Sequence, residues 1–251
     1  MARPVVAVAG LGLVGGSLAR ALSRTGHRVL GLDAPAVLQQ ARRARAIAGA
    51  LSGIEEAVAE AEVLVLAAPP RANRRLLRRL ARRDTDGLVV TDVGSVKAGI
   101  VAEAARLGLR QFVGGHPMAG RETSGFPASS AELFRNHPWI LTPAPGARVP
   151  EVLRRLVKAT GARPFVMDAA DHDRTVAYLS HVPQLAAWAL FEAARRDPVA
   201  GPRAALAGPA FREMTRLAKS PRGLWREILA ENRQEVDRAL RSFVRSLGRV
   251  G

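Results

Sequence analysis

Residues 5–17 read Val5-Val6-Ala7-Val8-Ala9-Gly10-Leu11-Gly12-Leu13-Val14-Gly15-Gly16-Ser17. The first five are small or branched apolar residues and make a short buried strand. Gly10, Gly12 and Gly15 then supply a G-x-G-x-x-G spacing, and apolar residues recur at helical spacing from Leu18 to a stop at Gly26. A second apolar run, residues 29–32, ends in Asp33. A glycine-rich turn alone says little. Between a strand and a helix, with an acid closing the next strand, it meets the requirements of a dinucleotide loop. Gly10 permits the tight turn, Gly12 lets the backbone approach a pyrophosphate, and Gly15 lets helix and strand pack closely. The phosphates would meet free N–H groups at the positive helix end. Asp33 would accept hydrogen bonds from the ribose hydroxyls and repel a 2′-phosphate. Ala34-Pro35 offers no arginine to offset that repulsion, so NAD is expected over NADP.

Outward from this unit the rhythm continues. Strand-like runs at residues 62–68, 88–92, 111–113, 139–142 and 164–167 are interleaved with helical patterns at 54–61, 71–83, 96–107 and 149–160. Such alternation predicts an α/β fold, a Rossmann-type doubly wound parallel sheet, over residues 1–168. Beyond Asp168 strand signals cease. Residues 171–196, 203–219 and 221–247 each read as one helix with an apolar face. An all-helical segment of this size, 169–251, cannot easily bury its own core. It is expected to pack on the first domain and on a second copy, giving a homodimer.

The chain has no cysteine, which excludes disulfides, thiolate catalysis and Cys-ligated zinc. No apolar stretch is long enough to span a bilayer, and the N-terminus lacks a signal-peptide layout. A cytoplasmic enzyme, with no membrane partner, is expected. The net charge is +16 and nearly all of the basic charge is arginine, since lysine occurs only at 97, 158 and 219. The arginines are spread over helix faces (Arg42-Arg43, Arg74-Arg75, Arg78-Arg79, Arg82-Arg83) with no aromatics interleaved for base stacking. This reads as compositional bias, and no nucleic-acid partner is expected. A basic surface would still attract an anionic substrate. No grouping of residues suggests a metal site.

In an open parallel sheet, ligands sit beyond the carboxyl ends of the strands. Those ends carry Ala68-Pro69-Pro70, Asp92-Val93-Gly94-Ser95-Val96-Lys97 and Gly114-Gly115-His116-Pro117. Cofactor contacts are therefore expected from Gly10, Gly12, Leu13, Val14, Gly15 and Asp33, and from Ala68, Pro69 and Ser95. A neutral His116 could accept a proton from a substrate hydroxyl as hydride leaves the carbon. The bland alternative is a turn histidine that satisfies a loop carbonyl. Ser95 could bond the same hydroxyl or the imidazole; its alternative is the N-cap of a helix starting at Val96.

Several segments together resemble the prephenate/arogenate dehydrogenases of tyrosine biosynthesis. They are GLGLVGGSLA (10–19), DVGSVK (92–97), GGHPMAGRETSG (114–125), SHVP (180–183), FREMTRLAKS (211–220) and Trp225-Arg226-Glu227. The resemblance covers nearly the whole chain. It implies a Rossmann domain followed by a helical dimerisation and substrate-binding domain. The reaction implied is NAD-dependent oxidative decarboxylation of prephenate, with arogenate as the alternative substrate. It assigns catalysis to His116 supported by Ser95, and a substrate carboxylate to Arg216. Arg212, one helical turn earlier, would hold a second carboxylate. His181 reads equally as a substrate contact or a structural histidine. Many relatives have a histidine where this chain has Gln184, which puts any pH response or product inhibition at that position in doubt. Glu122 is placed at the site entrance or toward the partner subunit. His172, between Asp171 and Asp173, reads as a helix start, and His27 and His137 as surface loop residues. No appended regulatory domain or fused mutase is expected. Two other readings compete. A 3-hydroxyacid dehydrogenase of the same layout would place a lysine on the interface helix, and residues 171–196 contain none. A basic DNA-binding or NAD-sensing protein without catalysis would show strongly salt-dependent DNA affinity.

Overall fold

The structure is a computed structural model that describes residues 3–250. In chain order its elements begin with β1 (Val6–Ala9), α1 (Leu13–Arg24), β2 (Val29–Leu32), α2 (Pro35–Arg43), β3 (Gly49–Ala50), α3 (Ile54–Glu60) and β4 (Val63–Leu66). Next come α4 (Pro70–Leu80), β5 (Val89–Asp92), α5 (Ala98–Arg106), β6 (Phe112–Pro117), β7 (Pro138–Pro143), α6 (Glu151–Ala159) and β8 (Arg163–Val166). The helical remainder is α7 (Ala169–Val176), α8 (Val182–Arg196), α9 (Pro209–Met214), α10 (Arg222–Glu231) and α11 (Arg233–Val250). The chain separates into two compact units, residues 1–172 and 173–251.

The first unit is a sheet of order β3-β2-β1-β4-β5-β6-β7-β8 with a hydrophobic cluster on each face. Val6 and Val8 of β1 join Leu18, Leu22, Trp139 and Leu153 on one side, while Ala7 joins Leu64, Leu77 and Ile100 on the other. Because helices cover both faces, the central strands β1 and β4 are apolar throughout instead of alternating. Chain order reverses at β1, with β2 on one side and β4 on the other, which opens a crevice at the strand C-termini.

Several details differ from the sequence expectation, each for a physical reason. The sheet is not wholly parallel, since β7 runs antiparallel to β6. The link between them, residues 118–137, contains only a single 3-10 turn at Phe126–Ala128. Without a crossover helix the chain comes back antiparallel. The two-residue β3 is too short to make a pattern. The helix α2 opens at Pro35 and fully buries only Ala41, so its periodicity is faint. The expected single helix at 203–219 is broken into a 3-10 turn (Gly201–Leu206), α9 and a second 3-10 turn (Arg216–Lys219). The Gly208-Pro209 step accounts for the first break, because proline disfavours helical geometry at the residue before it. Residues 171–196 stay helical but pass through a π-turn at Ala177–His181, just before Pro183. Residues 221–247 are divided at Asn232, whose backbone (φ −114°, ψ 28°) leaves the helix.

On the outer face of the first unit, Glu103 of α5 takes hydrogen bonds from Arg74 (2.5 Å) and Arg78 (2.8 Å) of α4. Burial of Glu103 opposes its ionisation, but the two guanidinium bonds outweigh it and hold the carboxyl below its usual range. The stabilisation is therefore present above the ordinary glutamate range and is lost as pH falls through the lowered ionisation. Glu103→Gln should destabilise by about 2 kcal/mol in urea titrations at neutral pH. The difference from the parent should shrink as pH falls below the usual glutamate range. A difference independent of pH would show that the charge contributes nothing.

Candidate active site

The glycine loop shows by its packing which of its members serve the fold. Gly10 has φ +99°, and a Cβ there would lie 2.7 Å from the backbone of Ala67. A Cβ on Gly15 would lie 1.9 Å from the carbonyl of Gly10. Neither site tolerates a side chain. At Gly12, by contrast, a Cβ would meet nothing within 4 Å. The one open position sits at the N-cap of α1, where a helix end offers unpaired N–H groups to an anion. Asp33 follows β2. Its Oδ2 accepts the Leu11 N–H at 2.6 Å and its Oδ1 accepts the Ala34 N–H at 2.6 Å, which anchors the carboxylate beside the loop. An open glycine at a helix start with an acid fixed beside it fits a dinucleotide. Leu13 and Val14 open α1 at half-buried positions.

The turn after β4 carries Ala68 and Pro69. Asn73, buried on α4, accepts the Ala68 N–H at 3.1 Å and donates to the Leu66 carbonyl at 3.3 Å. Sequence reading passed over Asn73. A polar residue at helical spacing with Leu77 and Leu80 was the available signal.

His116 does not sit on a turn. The strand β6 continues through both glycines, and His116 pairs with Ile140 of β7 inside the ladder. The glycines are required by crowding: a Cβ on Gly114 would lie 2.3 Å from Thr142 Oγ1, and one on Gly115 2.4 Å from the Asp92 carbonyl. His116 is buried, and its Nδ1 lies 2.8 Å from Nε2 of His172. The two rings meet edge to face at 5.0 Å. In that contact one imidazole donates and the other accepts. His172 is thus more than a helix start. It lies in the first turn of α7, fully buried, 56 residues from its partner. Only packing could reveal that pairing.

Ser95 lies half-buried on the turn between β5 and α5. The helix starts at Ala98 with Lys97 at the cap position and no side-chain capping bond, so the N-cap alternative for Ser95 falls away. On the same turn Asp92 and Lys97 form a buried ion pair that also engages both backbone groups of Gly115. Ser95, His116 and the glycine loop all lie at the C-terminal ends of parallel strands β5, β6 and β1. A buried histidine pair there can take up a proton beside a bound dinucleotide.

In the second unit His181 and Gln184 are fully buried. His181 Nδ1 lies 3.2 Å from the Asn232 amide nitrogen, and its ring meets Trp225 edge-on at 5.9 Å. Gln184 donates to the Leu217 carbonyl at 2.8 Å, and Trp188 donates to the Ala218 carbonyl at 3.3 Å. These bonds from α8 hold the 3-10 turn that Arg216 opens. Arg212 and Arg216 are both exposed. The α-helix ends between them at Met214, and Thr215 (φ −101°, ψ 4°) leaves helical geometry, so they do not share one α-helical face as expected. Glu122 is half-buried in the irregular segment after β6. Among the described residues no group of side chains could hold a metal ion, and no helix is long and apolar enough to cross a membrane.

Two family models match the chain: the prephenate dehydrogenase nucleotide-binding domain over residues 18–166, and the prephenate dehydrogenase dimerization domain over residues 168–250. The first match begins after the glycine loop, which stands on its own geometry. A prephenate dehydrogenase of Lactococcus lactis is 31% identical, over 98% of this chain and 70% of that protein. The crystal structure of prephenate dehydrogenase from A. aeolicus, in complex with hydroxyphenyl propionate and NAD+, superposes with a TM-score of 0.90 at 29% identity, covering 99% of this chain and 90% of that one. Synechocystis arogenate dehydrogenase gives a TM-score of 0.81 at 28% identity, covering 98% and 90%.

Proposed function

The chain belongs to the prephenate dehydrogenase family, and we propose that His116, set against His172, is the base of its reaction. That reaction is the NAD-dependent oxidative decarboxylation of prephenate to 4-hydroxyphenylpyruvate. NAD, when bound, accepts the hydride from the ring carbon that carries the hydroxyl. The observation that carries our reading is the bond between His116 Nδ1 and His172 Nε2. His116 takes the hydroxyl proton as the C–H bond breaks. The bond to the ring carboxylate then breaks, CO2 leaves, and its electron pair completes the aromatic ring. The phenolic oxygen recovers the proton from His116. His172 supports the charged state by accepting a hydrogen bond from Nδ1 of the imidazolium. Ser95 orients the hydroxyl or the imidazole.

The remaining assignments belong to the same proposal. Residues 1–168 bind the cofactor, through Gly10, Gly12, Leu13, Val14, Gly15, Asp33, Ala68, Pro69 and Ser95. Residues 169–251 dimerise and bind substrate. Arg216 is assigned to one substrate carboxylate as a planar fork and Arg212 to a second, and His181, Gln184 and Glu122 are further substrate-binding assignments. The arginine-rich surface draws in the dianionic substrate and is not assigned to nucleic acid. The working form is a homodimer exchanging NAD in the cytoplasm. Likeness to an arogenate dehydrogenase supports a second reading. An arogenate site gains from a carboxylate near the ammonium, with Glu122 or Glu213 available; the cationic set assigned here favours prephenate.

Turnover followed by absorbance of the reduced nicotinamide, with each substrate and each cofactor, tests this. Prephenate with NAD+ should give the highest kcat/KM, and Asp33→Ser should narrow the gap to NADP+. Preference for arogenate would overturn the substrate assignment. Equal use of both cofactors by the parent would overturn the role of Asp33.

A further inference from the structure

We propose that Asp92 and Lys97 are positioning residues that fix Ser95 and His116 relative to one another; this rests on the reading of His116 as the base. The parallel ladder between β5 and β6 pairs Val90 with Phe112 and Thr91 with Val113, and ends there. Gly115 therefore has no main-chain partner on the β5 side. Both of its backbone groups are satisfied by side chains instead. Asp92 Oδ1 accepts the Gly115 N–H at 3.0 Å, and Lys97 Nζ donates to the Gly115 carbonyl at 2.8 Å. The pair closes on itself, since Lys97 also donates to Asp92 Oδ2. That same oxygen accepts the Gly94 N–H at 2.8 Å. One carboxylate thus bonds the residue before Ser95 and the residue before His116.

Stability alone does not explain the arrangement. Lys97 is 0% exposed and Asp92 1%. A buried pair of this kind is often no better for stability than packed apolar side chains, because both charges lose their hydration. What apolar side chains could not do is terminate Gly115. Its N–H and carbonyl would be left buried and unpaired, and β6 would be free to shift against the turn that carries Ser95. The two glycines belong to the same device. A Cβ on Gly114 would meet Lys97 Cδ at 3.1 Å, and one on Gly115 would strike the Asp92 carbonyl. The glycines before His116 and the lysine two residues after Ser95, separate in the sequence, serve a single junction.

The test is a pair of variants, Lys97→Met and the charge-neutral double variant Asp92→Asn/Lys97→Met, with His116→Asn as a reference. A misplacement of about 1 Å at reacting groups lowers turnover on the order of 100-fold, and that loss in kcat is expected for both variants. The dissociation constant for NADH, read by its fluorescence, should stay within about threefold of the parent, because the glycine loop is untouched. Lys97→Met leaves a lone buried carboxylate and is expected to lower the melting temperature sharply; the double variant removes that burden and should fold. Recovery of stability without recovery of kcat is the expected pattern. Parent-like kcat in the double variant, or a loss of NADH binding in step with kcat, would make the pair a structural element only and overturn the proposal. If His116→Asn itself kept full kcat, the reading of the base would fall first, and that outcome is distinct from the other two.

Discussion

Replacing His116 by asparagine is expected to lower kcat by about 10²–10⁴-fold, the usual contribution of a general base. KM should change far less. Asparagine has similar reach and can still bond the hydroxyl, but it cannot accept the proton. Without that transfer, loss of hydride would leave an unfavourable positive charge on the hydroxyl-bearing carbon. The pH profile supplies a second readout. The base must be neutral, so the parent's rate should rise with pH on the acid side, and the variant should lack that limb. An asparagine variant with near-full kcat and the same acid limb would remove His116 from the chemistry.

Arg216→Ala is expected to raise KM for prephenate strongly with a smaller change in kcat. A carboxylate contact made in both ground and transition states is uniform binding, and its loss appears in KM. Losing a charge-assisted, bidentate contact costs about 2–4 kcal/mol, roughly 30- to 800-fold. Arg216→Lys should recover only part of the loss, because an ammonium keeps the charge but not the planar fork. Arg216 opens a 3-10 turn that is held by Gln184 and Trp188, so its own removal leaves those anchoring bonds in place. An unchanged KM would take Arg216 out of the substrate site.

The cofactor loop was the most legible part of the chain. Its information is local: a strand, three glycines at fixed spacing, a helix and an acid lie within residues 5–33. Alternating strands and helices were legible for the same reason, as was the change to helix alone past Asp168. Short or faint elements such as β3 and α2 escaped because too few of their residues are buried to make a period. The segment GGHP misled in one respect. Paired glycines usually mark a turn, yet here they lie within β6, since Thr142 and the Asp92 carbonyl leave no room for side chains.

Sequence alone determined the dinucleotide loop, the order of the layers and the residue types that could do acid–base and carboxylate chemistry. It could do so because helix, strand and turn preferences act over a few neighbouring residues. Which of those residues meet was decided by tertiary structure. His172 joins His116 across 56 positions, and Asn232 reaches His181 across 51. Asp92 and Lys97 close on Gly115 because the ladder between β5 and β6 ends at Val113, short of it. Buried polar groups must be paired, and the partner is whichever group the packed chain brings within about 3 Å. No spacing along the sequence encodes that distance.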